Sequence, residues 1–124
     1  MRKKLTKRQR LKREADKLWR LILMKRYGYK CFVCSKKAIE VHHFIPKQQC
    51  LALRYDLENG IPLCRSCHFQ IHLKSDPIFS LIIAFKKGGK KWLDYLLKRK
   101  KEKVILTSQW LEEQLEKLRK AIEK

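Results

Sequence analysis

The sequence predicts an α+β protein, mostly helical, in which two helical flanks enclose a short middle segment of strands and turns. Three observations predict it. Apolar residues recur at helical spacing before residue 28 and after residue 76. Between Cys31 and Leu73 the texture changes to short alternating runs and turn residues with few charges. That same segment holds two Cys-x-x-Cys pairs, Cys31/Cys34 and Cys64/Cys67, and all four histidines of the chain. At 124 residues there is room for one domain. It divides into a basic tail and helix (1–30), a core (31–75) and C-terminal helices (76–124).

Residues 1–5 read as a disordered basic tail. A helix follows from about Thr6 to Tyr27, because Leu11, Ala15, Leu18 and Ile22 form an amphipathic stripe. Gly28 is placed to end it in the left-handed conformation. Ala38–Phe44 alternates as a strand, with Ile39, Val41 and His43 on one side and Glu40, His42 and Phe44 on the other. Asn59-Gly60 reads as a tight turn. Pro62 then implies an edge position or a short strand, and Arg65–Leu73 has the length of a short helix. Asp76-Pro77 caps and opens the next helix. Its expected apolar stripe is Ile78, Leu81, Ile82 and Phe85, and Gly88-Gly89 ends it. A Lys-rich helix from about Lys90 to Lys101 carries Trp92, Tyr95 and Leu96. The last helix, from about Ser108, shows Leu111, Leu115, Leu118 and Ile122, with Glu112, Glu113 and Glu116 as the acidic patch of the chain. That helix is expected to pack on the basic first helix, in the same subunit or a second one.

Charge narrows the function. Lys and Arg number 32 against 12 acidic residues, a formal net charge of +20. Such an excess repels itself unless a polyanion neutralises it, and nucleic-acid phosphates are the usual partner. An anionic membrane surface would attract the chain too, but no run is long enough to span a bilayer and no membrane partner is expected. Nor does the basic N-terminus read as a secretory signal. The expectation is a soluble, cytoplasmic protein. Arg10, Lys12, Arg13, Lys17 and Arg20 crowd the polar face of the first helix, interrupted by Glu14 and Asp16. With Lys47 and Arg65 they are the candidate phosphate contacts.

The cysteines and histidines carry the chemistry. Two Cys-x-x-Cys pairs in a reducing compartment read as a structural Zn2+ site of four thiolates, Cys31, Cys34, Cys64 and Cys67, before they read as disulfides. Cys50 stands apart and is expected to be a small core residue. The tryptophans Trp19, Trp92 and Trp110 are read as core. His42 and His43 are adjacent in a strand, so they point to opposite faces. His68 and His72 are four apart in a helix, so they share a face and can meet one ion.

The runs VHHFIP, LENGIPLC and CRSCHFQIH, in that order, resemble the HNH endonuclease motif, also called the ββα-metal or His-Me finger. The resemblance covers residues 31–73 or so and includes the knuckle cysteines that many members carry. It implies a β-hairpin and a helix holding one catalytic divalent ion. By the same resemblance His43 is the general base, Asn59 orients its imidazole, and His42 and His68 bind the ion. His72 would be a third ligand or a phosphate contact. The implied activity is hydrolysis of DNA phosphodiester bonds, by nicking or double-strand cleavage, leaving 5′-phosphate and 3′-hydroxyl ends. Many members have aspartate where His42 stands. An all-imidazole site shifts the expected preference from Mg2+ toward Mn2+, Ni2+ or Co2+. The resemblance extends to small bacteriophage members, some encoded beside DNA-packaging genes, so packaging proteins are among the expected partners along with double-stranded DNA. A homodimer is the route by which one chain could cut both strands. The competing readings are a zinc-dependent nucleic-acid-binding module without catalysis, an assembly protein that docks through its acidic helix, and an inactive HNH fold.

Overall fold

The computed structural model describes residues 3–123; Met1, Arg2 and Lys124, and with them part of the expected basic tail, lie outside the described residues. Helix α1 spans Lys7–Arg26. Thr6 caps it reciprocally with Gln9, each side chain bonding the other's backbone N–H at 3.1 and 2.9 Å, which satisfies two of the free amides of the first turn. Gly28 (φ +62°) and Tyr29 (φ +59°) turn the chain away at the other end. Two strands follow, β1 (Glu40–His43) and β2 (Gly60–Leu63), paired antiparallel with His42 opposite Ile61 and His43 opposite Gly60. Helix α2 (Arg65–His72) leaves β2 directly, and α3 (Pro77–Lys87), α4 (Lys90–Lys100) and α5 (Ser108–Ile122) complete the chain. None of the described helices is long and apolar enough to cross a membrane.

A two-stranded sheet is marginal by itself in water, and this one is held from two sides. Val41 joins Ala15, Trp19, Ile22 and Leu23 of α1 and Leu111, Leu115 and Leu118 of α5 in one buried cluster. Ile61 and Leu63 join Leu53, Ile83, Trp92 and Leu96 in a second. Helix α5 lies on α1 of the same chain, with ion pairs Lys7–Glu112 (2.9 Å) and Glu14–Arg119 (2.8 Å) along the contact. Both pairs are exposed and add little energy, but they fix the alignment. The expected acidic-on-basic packing is therefore intramolecular.

The Asn59-Gly60 pair corrects one expectation. It does not form a two-residue hairpin. The strands are joined by a long connection containing two 3₁₀ turns, Leu51–Leu53 and Leu57–Asn59, and Gly60 lies inside β2 with φ −106°, open to any residue. Glycine is needed there for space: a Cβ would sit 2.1 Å from Leu23 Cδ1 and 2.7 Å from Trp19 Cζ2. The connection is held by long side chains from the helices. Trp19 and Trp92 donate their indole N–H groups to the carbonyls of Asp56 and Glu58, both at 3.1 Å. Arg99 of α4 reaches the Ala52 carbonyl at 2.8 Å and Asp56 at 3.2 Å.

A second correction concerns α3. Asp76 and Pro77 open it and Gly88 (φ +127°) closes it as expected. However, the buried residues are Ile83 and Ala84, with Phe79 packed beside them, while Ile78, Leu81 and Phe85 face outward. The helix is apolar on every side, so periodicity could not choose the inward face. Cys50 is buried as expected, with its Sγ 3.8 Å from the Lys100 carbonyl.

Gly60→Ala is expected to destabilise the fold by about 1–3 kcal/mol, because α1 must retreat from the sheet to admit a methyl group. Urea unfolding checks this: the midpoint should fall with the slope unchanged.

Candidate functional site

The four paired cysteines converge. Their sulfurs all lie within 4.8 Å of one another, with Cys34–Cys64 at 3.4 Å and Cys67–Cys34 at 3.8 Å. Four thiolates at a zinc–sulfur distance of about 2.3 Å form a tetrahedron with edges of about 3.8 Å, so the cluster, whose cysteines are all free, fits one such ion. The first pair sits in a tight turn where Ser35 takes φ +65° and donates to the Cys31 carbonyl at 3.0 Å. The second pair is the start of α2, with Cys64 as its N-cap. Burial works to raise the Cys64 thiol, but the Cys67 amide and the neighbouring thiols outweigh it and bring it down to about 7. The cluster joins the loop after α1 to the start of α2 and so fixes where the histidines meet.

They meet at a cleft of about 510 Å³ lined by α1 (Asp16, Trp19, Arg20), β1 (Glu40 to His43), the loop Pro46–Gln48, and His68 and His72 of α2. Strand alternation sends His42 toward α2 and His43 toward α1, as the sequence implied. His42 Nδ1 lies 3.1 Å from His72 Nε2, and the His68 and His72 rings are 4.4 Å apart. Burial, then the nearby His72, His68 and His43, hold His42 down at about 4. Burial and His72 likewise lower His68. Neutral imidazoles on facing elements are a ligand set for a divalent cation. The donor chemistry of His42, His68 and His72 is of the kind that suits such an ion, but among the described residues only the four cysteines bring three or more ligand atoms within 4.8 Å of one another.

His43 is built differently. Its Nε2 lies 2.9 Å from the Arg54 carbonyl oxygen. A carbonyl can only accept, so Nε2 carries the proton and Nδ1 keeps the lone pair. The ring stacks on Trp19 with centroids 4.0 Å apart and planes 11° from parallel. Burial lowers its pKa against the opposing pull of the Arg54 carbonyl, and the charges of Lys47 and Arg54 lower it further. The ring is thus held in one orientation, with its protonated form disfavoured. Arg54 is itself anchored by three hydrogen bonds to Asp16 of α1, at 3.3, 3.2 and 3.0 Å.

Asn59 does not touch the imidazole. It is fully buried, accepts from Ile45 N at 2.8 Å, and donates to the carbonyls of Ile45 and Leu53 at 3.0 and 3.2 Å. Its main-chain carbonyl receives Phe44 N at 2.9 Å. It therefore ties the two ends of the β1–β2 connection together, and the imidazole of His43 is held by the Arg54 carbonyl instead. Among the expected phosphate contacts, Arg10, Arg13, Lys17, Lys47 and Arg65 are exposed, and Lys12 is half-buried. Of these Lys47 lines the cleft. Arg20 also lines it, but its guanidinium is engaged with the Ile39 carbonyl at 2.8 Å and Glu40 at 3.3 Å. The sequence did not single out Trp19, Asp16 and Arg54 as parts of the site. Asp16 and Trp19, three apart on α1 and flanked by cations, were the only signal available.

Residues 31–74 match the family model described as HNH endonuclease. The match takes in both cysteine pairs, both strands and α2, and leaves α1, which supplies Trp19 and Asp16, outside the HNH segment. Searches of the curated proteins and of the solved structures return no match.

The cysteine site is expected to hold one metal ion per chain, released by chelators together with the folded structure of the HNH segment. Metal analysis and circular dichroism on the wild type and Cys64→Ser check this. The variant should lose the ion and the thiolate-to-metal absorption seen after Co2+ loading.

Proposed function

We propose that this chain is a metal-dependent endonuclease that hydrolyses phosphodiester bonds of double-stranded DNA, with structural zinc at the four cysteines. The observation that carries the reading is the state of His43. Its Nε2 proton is committed to the Arg54 carbonyl, so Nδ1 keeps its lone pair in a cleft shared with His42, His68 and His72. In the proposed reaction Nδ1 of His43 takes the proton of the attacking water. Stacking on Trp19 and the hydrogen bond to Arg54 limit ring rotation, so the lone pair stays aimed. A divalent ion bound by His42, His68 and His72 would stabilise charge on the phosphoryl group and the departing 3′ oxygen. Lys47 at the cleft edge and the exposed cations of α1 hold the phosphate backbone without reading bases. The products are 5′-phosphate and 3′-hydroxyl ends.

Supercoiled plasmid incubated with purified protein tests the reading. Nicking or linearisation is expected with Mn2+, Ni2+ or Co2+, weaker with Mg2+, and none in EDTA. His43→Ala should lose at least about 100-fold in rate, the usual scale of general-base catalysis, while still folding and binding DNA. Binding without strand breaks in every metal would favour the non-catalytic module and sink the nuclease.

DNA affinity is expected to fall steeply with salt. If roughly six phosphates are neutralised, the log–log slope is about −5, and Arg13→Ala with Lys17→Ala should make it shallower by about 2. Fluorescence anisotropy across a salt series measures both slopes.

A further inference from the structure

A cleft that receives phosphate is a poor place for a carboxylate, since like charges repel and do so most where water is scarce. Two of the 12 acidic residues nevertheless line it, Asp16 of α1 and Glu40 of β1. Glu40 lies against Arg20 in an ion pair about half exposed on both sides. Asp16 is placed differently. Its two oxygens accept three hydrogen bonds from the guanidinium of Arg54, at 3.3, 3.2 and 3.0 Å, and the Arg54 side chain is only 13% exposed. The same guanidinium donates to the Tyr55 hydroxyl at 3.1 Å, and that hydroxyl donates to the Lys12 carbonyl of α1 at 3.4 Å. Arg54 is thereby clamped to one helix by a planar, forked contact that a lysine could not reproduce. Among the described residues Asp16 joins no metal-ligand group with the histidines.

The clamp acts on the Arg54 main chain. Arg54 ends the 3₁₀ turn Leu51–Leu53 in the β1–β2 connection, and its carbonyl is the atom 2.9 Å from Nε2 of His43. Guanidinium and carbonyl belong to one residue, so holding the first limits how far the second can swing. Three residues on along α1, Trp19 stacks on the same imidazole. We propose that Asp16 is a positioning residue for His43: through Arg54 it keeps the carbonyl on Nε2 and so keeps the lone pair on Nδ1. The tautomer rests on these contacts alone, and its service to hydrolysis rests on the nuclease reading. The competing account is a plain ion pair that ties α1 to the loop, which predicts lost stability and an unchanged imidazole.

Asp16→Asn, Arg54→Met and the double variant separate the two. Long-range 1H–15N correlation spectra of the purified protein report which ring nitrogen of His43 carries the proton. Plasmid cleavage with Mn2+ gives kcat and KM. The expected wild type holds the Nε2–H form. Asp16→Asn should show both tautomers and a kcat at least about 10-fold lower, the scale on which a misplaced reacting group costs rate. Its KM should not rise, because the lost carboxylate repelled phosphate. If Asp16 acts through Arg54, the double variant is no worse than the poorer single, within about 3-fold, since linked residues do not add. It leaves no unmatched charge at the contact, so it serves where a single variant fails to fold. A kcat equal to that of the wild type overturns the proposal, as does a lost rate with the Nε2–H form intact. So does a double variant in which the two single losses multiply, because Asp16 then works independently of Arg54. A wild type that cuts no DNA in any metal sinks the nuclease reading, and the tautomer spectra alone then decide the positioning.

Discussion

The close approach of α1 to the two-stranded sheet is the contact on which the rest of the site depends. Gly60 permits it by leaving room for Leu23 and Trp19. Trp19 then serves three partners: its body fills the core, its N–H fixes the Asp56 carbonyl, and its face carries His43. Three residues earlier Asp16 holds Arg54, whose carbonyl sets the His43 tautomer. One helix outside the HNH segment thus controls both the plane and the protonation of its central imidazole. Second-layer contacts of this kind are what keep a reactive group within a useful geometry.

Electrostatics divides the molecule into two regimes. The surface is dominated by Lys and Arg, whose field gathers phosphate from a distance. The cleft floor holds imidazoles that burial keeps neutral. Were they charged, they would compete with a metal ion and could accept no proton. The strongly cationic exterior reinforces that neutrality, since each nearby positive charge makes protonation of His43 harder. The few acidic residues are correspondingly placed: Asp16 and Asp56 bind arginines that organise the loop, and Glu40 engages Arg20. They serve the scaffold.

Much of this was legible in the sequence where a local rule fixes the outcome. Thr6, Gly28 and Asp76-Pro77 mark helix ends through backbone chemistry that needs no tertiary context. Cysteine spacing gave the thiol cluster, and strand alternation placed His42 and His43 on opposite sides. The readings that failed required knowledge of neighbours. Asn59-Gly60 carries the residues of a turn, yet Gly60 is selected by a helix far away in sequence. The inward side of α3 could not be chosen because all its sides are apolar. The supports of His43 come from α1 and from the β1–β2 connection, and no spacing along the chain announces that Asp16, Trp19 and Arg54 meet.

The contact between α1 and α5 has a kinetic side. The helix that positions His43 buries its other flank against the last helix of the fold, with Glu14 and Arg119 touching across almost the whole chain. Closing so long a loop is entropically slow, and contacts of this kind delay folding. During synthesis the cysteine knuckles and the histidine helix emerge well before α5 does. The imidazole that would serve as base stacks on a helix whose other flank is covered only when α5 is made, so a chain still on the ribosome carries both faces of the cleft before the helix that backs them.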